Sequence, residues 1–240
     1  MRTFISIIYL LFAGSVFGQT KIINIPTYKN YQNQIDTTLW YKWKYALGEK
    51  LALPNLQTSN EIFHFRFWTD IQALDIWTSD GNSYFGTVTN YAQRYNRKLY
   101  KKGIYQVDKV FSNKINLDSS KARQIYFLLD TLSIVNIPAD DKIKGWQQGF
   151  DGTEYIIETS NKIQYDFKTY WTPLIFSDKL IEAKQIQTLV DKLFKDFKIG
   201  RYYDKLKLPE GNYKRDGIQG VKIHTSNDNN GNKSSITDWF

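Results

Sequence analysis

The segment Glu61 to Asp70, EIFHFRFWTD, sets the strongest limit on the fold. Phe63, Phe65 and Phe67 alternate with Ile62, His64, Arg66 and Trp68, which is the period of an extended strand with two unlike faces. Three phenylalanines in a row on one face need an apolar layer over them. The opposite face carries an imidazole, a guanidinium and an indole, so it is the less apolar of the two.

The flanking sequence extends this strand into a sheet. Ala73 to Thr78 and Tyr84 to Tyr91 predict two more strands, with Asp80-Gly81-Asn82 as the tight turn between them. Another strand is expected within Tyr105 to Leu117, starting about Lys109. Glu154 to Thr159 and Lys162 to Trp171 predict a second hairpin, joined at Ser160-Asn161. Its later strand sets Ile163, Tyr165 and Phe167 opposite Gln164, Asp166 and Lys168. In Leu39 to Leu47, Tyr41, Trp43, Tyr45 and Leu47 alternate with Lys42 and Lys44, again a strand period. A short helix capped by Thr37 or Thr38 is the alternative there.

Two stretches change period. Ala122, Ile125, Tyr126, Leu129 and Leu132 recur at helical steps behind Asp118 or Ser119, with Pro138 as the expected stop. Ala183, Ile186, Val190, Leu193 and Phe197 do the same behind Ser177 or Asp178, with Gly200 as the stop. Strands, helix, strands, helix is the order of an α+β domain: an antiparallel sheet with two main helices packed on one face. Asp80-Gly81-x-x-Tyr84 reaching Asn90 echoes Asp151-Gly152-x-x-Tyr155 reaching Asn161. Two duplicated strand–helix halves would produce this echo, and so would chance agreement between two hairpin turns.

The N-terminus reads as an export signal. Arg2 precedes the apolar run Phe4 to Phe12, and Ser15-Val16-Phe17-Gly18 offers slim residues for cleavage before Gln19. The run is shorter than the roughly 20 residues of a membrane span. The expected organisation is a signal peptide over 1–18, one α+β domain over 19–211, and a polar, partly mobile segment over 212–240. The mature chain is then expected to be soluble, in the periplasm or outside the cell. It contains no cysteine, so neither disulfides nor thiol chemistry is available to it. The net charge is +8, with 25 Lys against 7 Arg. Attraction to an anionic envelope polymer explains that surplus, and so does a genome biased to A- and T-rich codons. Nucleic acid is not expected as a partner, because export separates the chain from it and Arg-rich clusters are missing.

Chemistry-bearing motifs are few. There is no G-x-S-x-G elbow, no H-E-x-x-H and no phosphate loop. Ser226 and Thr237 stand where an EF-hand-like loop through Asp228, Asn230 and Gly231 needs acidic ligands, so that stretch reads as a polar loop. Neither a metal site nor a cofactor is expected. His64, beside Arg66 and near Asp70, is a candidate general base. Asp151 and Glu158 are candidate carboxylates for glycan hydrolysis, which needs two carboxyls across one sugar. Aromatic residues make up 16% of the chain, and flat rings stack on sugars or peptides. Trp68 is the expected exposed platform, with Arg66 and Tyr155 as further ligand contacts.

The leading expectation is a non-enzymatic binding or envelope-accessory module that recognises an envelope glycan or another exported protein. A hydrolase acting on glycan or peptidoglycan is the alternative. A structural or adhesive surface protein is the third reading.

Overall fold

The computed structural model describes residues 20–30, 32–103, 107–149, 151–214 and 220–223. The expected signal peptide, His224 and the loop over 225–235 lie outside these residues.

In chain order the elements are β1 (Ile22–Asn24), β2 (Thr27–Lys29), β3 (Ile35–Thr37), α1 (Leu39–Lys50), β4 (Phe63–Trp68), β5 (Gln72–Thr78), β6 (Phe85–Tyr95) and α2 (Arg97–Tyr100). They continue with β7 (Val107–Asn116), α3 (Ser119–Thr131), β8 (Glu154–Ser160), β9 (Gln164–Trp171), α4 (Pro173–Phe176), α5 (Ile181–Lys195), β10 (Gly211–Lys214) and β11 (Gly220–Ile223). The architecture is α+β. Nine strands form one sheet in the order β1-β9-β8-β4-β5-β6, with β7 on the far side of β6. Beyond Asn90, the last β6 residue paired with β5, β10 pairs with Gln93 and Arg94 and carries β11 with it. All pairings are antiparallel except β1 with β9. The strands β2 and β3 form a separate hairpin.

The two faces follow from the alternation in β4. Phe65 and Phe67 join Leu74, Ile76, Val88 and Ile157 under α3 and α5. Ala122, Ile125 and Leu129 fill the α3 side of that layer, and Ala183, Ile186, Leu189, Val190 and Leu193 the α5 side. Burying each large aliphatic side chain is worth roughly 1.5–3 kcal/mol, so this face carries the main core. Asp118 caps α3 by accepting the Lys121 amide at 2.7 Å.

A third helix covers the other face. Leu39 to Leu47 is helical, contrary to the strand reading. The buried positions Lys44, Leu47, Gly48 and Leu51 step by three and four, whereas Trp43 and Tyr45 are exposed. Lys44 misled the pattern: it is inward-facing, with Nζ donating to the Tyr91 hydroxyl at 3.1 Å and lying 5.1 Å from the Trp68 ring centre.

Helix ends differ too. Helix α3 stops at Thr131, well before Pro138, because Ser133 adopts a left-handed conformation at φ 52°. Ser177 and Asp178 do not open the last helix, since the short helix α4 intervenes and α5 begins at Ile181. The left-handed residue after α5 is Lys198 at φ 55°, in place of Gly200. None of the described helices is long and apolar enough to cross a membrane.

Candidate functional site

The face of the sheet under α1 places its polar side chains in rows, because strand register sets residues of neighbouring strands side by side. One row runs Thr87, Asp75, Arg66, Glu158, Phe167; the next runs Phe85, Trp77, His64, Ser160, Tyr165. Arg66 therefore sits between a carboxylate from β5 and another from β8.

Its hydrogen bonds are well formed. Arg66 Nε donates to Asp75 Oδ1 at 2.8 Å, Nη2 donates to the Pro54 carbonyl at 3.0 Å, and Nη1 lies 3.6 Å from Glu158 Oε1. Glu158 is held further by the Trp68 indole N–H at 2.6 Å and the Tyr165 hydroxyl at 2.7 Å. Burial, followed by the Glu158 charge, pushes the Tyr165 hydroxyl far up, so it stays a neutral donor. His64 Nε2 meets Asp75 Oδ1 at 3.1 Å. Burial alone would raise the Asp75 carboxyl, but Arg66 and then His64 outweigh it and hold it below the usual aspartate range. An ionised Asp75 only accepts, so His64 Nε2 donates to it.

The segment between α1 and β4 crosses this face as a strap, pinned where the Pro54 carbonyl accepts from Arg66 and where Leu56 is buried. It separates two hollows. The smaller, about 110 Å³, lies over Arg66, Glu158 and Tyr165 beside Tyr41 and Lys44. The larger, about 550 Å³, has His64 and Asp75 among its walls with Trp77, Thr87, Glu61 and Lys114 around them. Two buried atoms of these walls, His64 Nδ1 and Asp75 Oδ2, have no hydrogen-bond partner among the described residues. Buried polar atoms without a partner are costly, so the cleft is suited to a ligand that brings polar groups. Trp77 is half-buried and stacks on Phe85 at 5.8 Å with 23° between the rings. Phe85 is 48% exposed, so the pair makes an aromatic shelf at the cleft.

The sequence-derived candidates are distributed unevenly. His64 belongs to the larger cleft, while Arg66 and Glu158 line the smaller hollow. Trp68 is 1% exposed, so it is no platform: its indole is packed against Tyr91 and bonded to Glu158. Tyr155 lies on the opposite face, stacked on Phe67 at 5.6 Å, so it does not join Trp68 and Arg66. Asp151 is exposed ahead of β8 and lines neither hollow. The carboxylate that orients His64 is Asp75, whereas the sequence pointed to Asp70. Asp75 and Trp77 were missed, although both fall on the His64 face of an alternating strand, and an acid between Ala73 and Trp77 was the available signal. Among the described residues no cluster of three or more His, Asp or Glu is placed to hold a metal ion.

A second acidic pair lies where β8 begins and β9 ends. Asp140 accepts the Trp171 amide at 2.6 Å and the Thr169 hydroxyl at 3.3 Å. Burial, and then the Asp140 charge, push the Glu154 carboxyl up to about 8. Between the ordinary value of 4.5 and about 8, the unfolded chain ionises while the folded one keeps the proton. Stability therefore falls as pH rises through that window, by at most about 1.4 kcal/mol per unit. Partial solvent screening reduces this to about 1–2 kcal/mol across the window. Glu154→Gln is expected to flatten the slope. Urea unfolding of both proteins at pH 5 and pH 8 checks it: parallel pH profiles would contradict the assignment.

Compared with family models, curated proteins and solved structures, the chain matches none.

Proposed function

We propose that this protein is an exported binding module whose ligand is a neutral, hydroxyl-rich molecule such as a short oligosaccharide, held in the cleft between the 53–61 strap and strands β4 and β5. The single observation that carries the reading is the pairing of an aromatic shelf, Trp77 on Phe85, with two buried polar atoms that have no partner among the described residues, His64 Nδ1 and Asp75 Oδ2. A sugar supplies what each lacks: C–H faces for the rings and hydroxyls, which both donate and accept, for the polar atoms. Charge favours a neutral ligand, because Arg66 already compensates Asp75 and the cleft lining carries both Lys114 and Glu61. The export part of the reading rests on the sequence of residues 1–18. The α3–α5 layer on one face of the sheet agrees with a working surface on the other.

The test is calorimetric titration with panels of neutral oligosaccharides, followed by product analysis. Trp77→Ala should weaken the observed binding by at least tenfold, about 1.4 kcal/mol, while keeping one cooperative unfolding transition. Binding unchanged in that variant would remove the shelf from the site. Hydrolysis of a bound sugar would replace this reading with an enzymatic one.

A further inference from the structure

The smaller hollow, on the far side of the strap from the oligosaccharide cleft, contains an unused donor. A guanidinium has five N–H groups. Arg66 donates from Nε to Asp75 and from Nη2 to the Pro54 carbonyl. Its Nη1 makes no hydrogen bond among the described residues: the contact with Glu158 Oε1, at 3.6 Å, is too long to be one. Both side chains line the hollow, and they are only 4% and 9% exposed. Glu158 Oε1 takes the Trp68 N–H, and a carboxylate oxygen can accept a second bond. A donor and an acceptor therefore stand side by side in the wall of one small space.

The helix that covers this space supplies an independent observation. Gly48 of α1 is buried and is another of the walls. A Cβ at Gly48 would meet no heavy atom within 4 Å. Glycine inside a helix is destabilising relative to alanine, and no neighbour here excludes a side chain. Packing gives no reason for this glycine, whereas keeping the hollow open does.

Size, charge and spacing limit the ligand. The volume of about 110 Å³ is the room of about three or four waters, at roughly 30 Å³ each. That admits the head of a side chain and excludes a sugar or aromatic ring. The charged walls are Lys44, Arg66, Glu49 and Glu158, two of each sign, so an uncharged group is favoured. A single hydroxyl oxygen bonded to both Nη1 and Oε1 at about 2.8 Å would close the angle between its bonds to about 80°, well under tetrahedral. A primary amide presents its oxygen and one N–H in the same direction from one carbon, so its two bonds run nearly parallel. A secondary amide does not fit, because its trans form turns the N–H away from the oxygen.

We propose that the smaller hollow binds the primary carboxamide of a Gln or Asn side chain on a partner polypeptide. The amide oxygen accepts from Arg66 Nη1, and the amide N–H donates to Glu158 Oε1. The covering helix favours a polypeptide over a free amide. It leaves Trp43 59% and Tyr45 43% exposed, Tyr45 is itself a wall of the hollow, and aromatic side chains of this kind anchor protein interfaces.

The test is an NMR titration of the full chain with propionamide, following the Trp68 indole N–H, which shares Glu158 Oε1 with the ligand. The signal should shift saturably with a millimolar Kd, the scale of so small a ligand. Propionate, propylamine and N-methylpropionamide should bind at least tenfold more weakly, and equal binding by any of them would overturn the assignment. Gly48→Met should fill the hollow and weaken propionamide binding at least tenfold. Gly48→Ala, which adds one carbon into open space, should keep the native circular dichroism and weaken binding at least threefold. Binding unchanged in either folded variant would place the amide elsewhere. The peptide acetyl-Ala-Gln-Ala-N-methylamide should bind at least as tightly as propionamide, and its Glu counterpart at least tenfold more weakly. A Gln peptide that binds more weakly than propionamide would overturn the polypeptide assignment. Neutral oligosaccharides should titrate native and Gly48→Ala protein alike, so the hollow and the Trp77 cleft are tested separately.

Discussion

Replacing Arg66 with leucine should destabilise the protein by about 3–5 kcal/mol at pH 7, the usual result of removing one partner from a buried ion pair. The guanidinium lies between Asp75 and Glu158, and all three side chains are almost fully buried. Without it, two carboxylates remain in a low-dielectric layer with His64, Trp68 and Tyr165 as their remaining partners. The pH dependence distinguishes this from loss of packing. In the native protein Asp75 has a depressed pKa, so its contribution is present above the ordinary value of 3.8 and is lost only below it. In the variant, burial acts on Asp75 with its strongest counter-charge removed, and its pKa should rise above 3.8. The stability deficit should then shrink as pH falls from 7 towards 4, because protonation relieves the stranded charges. Urea unfolding at several pH values measures this. A deficit below about 1 kcal/mol, or one that does not change with pH, would mean that Arg66 is not the counter-charge of the cluster.

Truncating Trp68 to alanine should cost a similar amount, about 3–5 kcal/mol. The indole is buried against Tyr91, Ala73 and Ile156, and its N–H is the shortest hydrogen bond that Glu158 receives. The loss therefore combines a cavity with an under-satisfied carboxylate. Because Arg66 and Trp68 both serve Glu158, the two substitutions should not add, and the double variant should lose measurably less than the sum. A variant with native stability would place the ring at the surface and restore it as a ligand platform. Additive losses would instead show that Glu158 does not couple the two side chains.

These expectations rest on a cluster that was only half legible in the sequence. That His64, Arg66 and Trp68 share one face, away from Phe63, Phe65 and Phe67, follows directly from the two-residue period of a strand. Their degree of burial does not follow, because it depends on what covers the face. The cover is α1 with the strap behind it, and α1 was read with the wrong period. Lys44 looked like a solvent-facing spacer, whereas its ammonium reaches Tyr91 and the Trp68 ring. A long aliphatic stem that ends on a hydroxyl and an aromatic face lets a lysine occupy an inward position. No hydropathy pattern marks that case.

The candidate cleft shows the same division. Trp77, Asp75 and His64 each stand at an alternating position that could be assigned to a face from sequence. What brings them together is the pairing of Arg66 with Asp75 and of His64 with Trp77, which depends on strand order and register. The trio predicted to bind ligand is split between two faces for a related reason: Tyr155 sits on β8 with its ring turned to Phe67, out of phase with Glu158.

The sequence by itself determined the α+β class, the two faces of β4, the apolar stripes of α3 and α5, and the Asp80-Gly81 turn. Each is a local property, carried by periodicity or by the conformational freedom of one residue. Only the tertiary structure decided that β4 lies between β5 and β8, so that Arg66 is flanked by Asp75 and, 92 positions further along the chain, by Glu158. Periodicity assigns a side chain to a face, but strand order and register arise from packing the whole sheet at once. The faces of EIFHFRFWTD were therefore written in the chain, and the chemistry gathered on one of them was set by its neighbours.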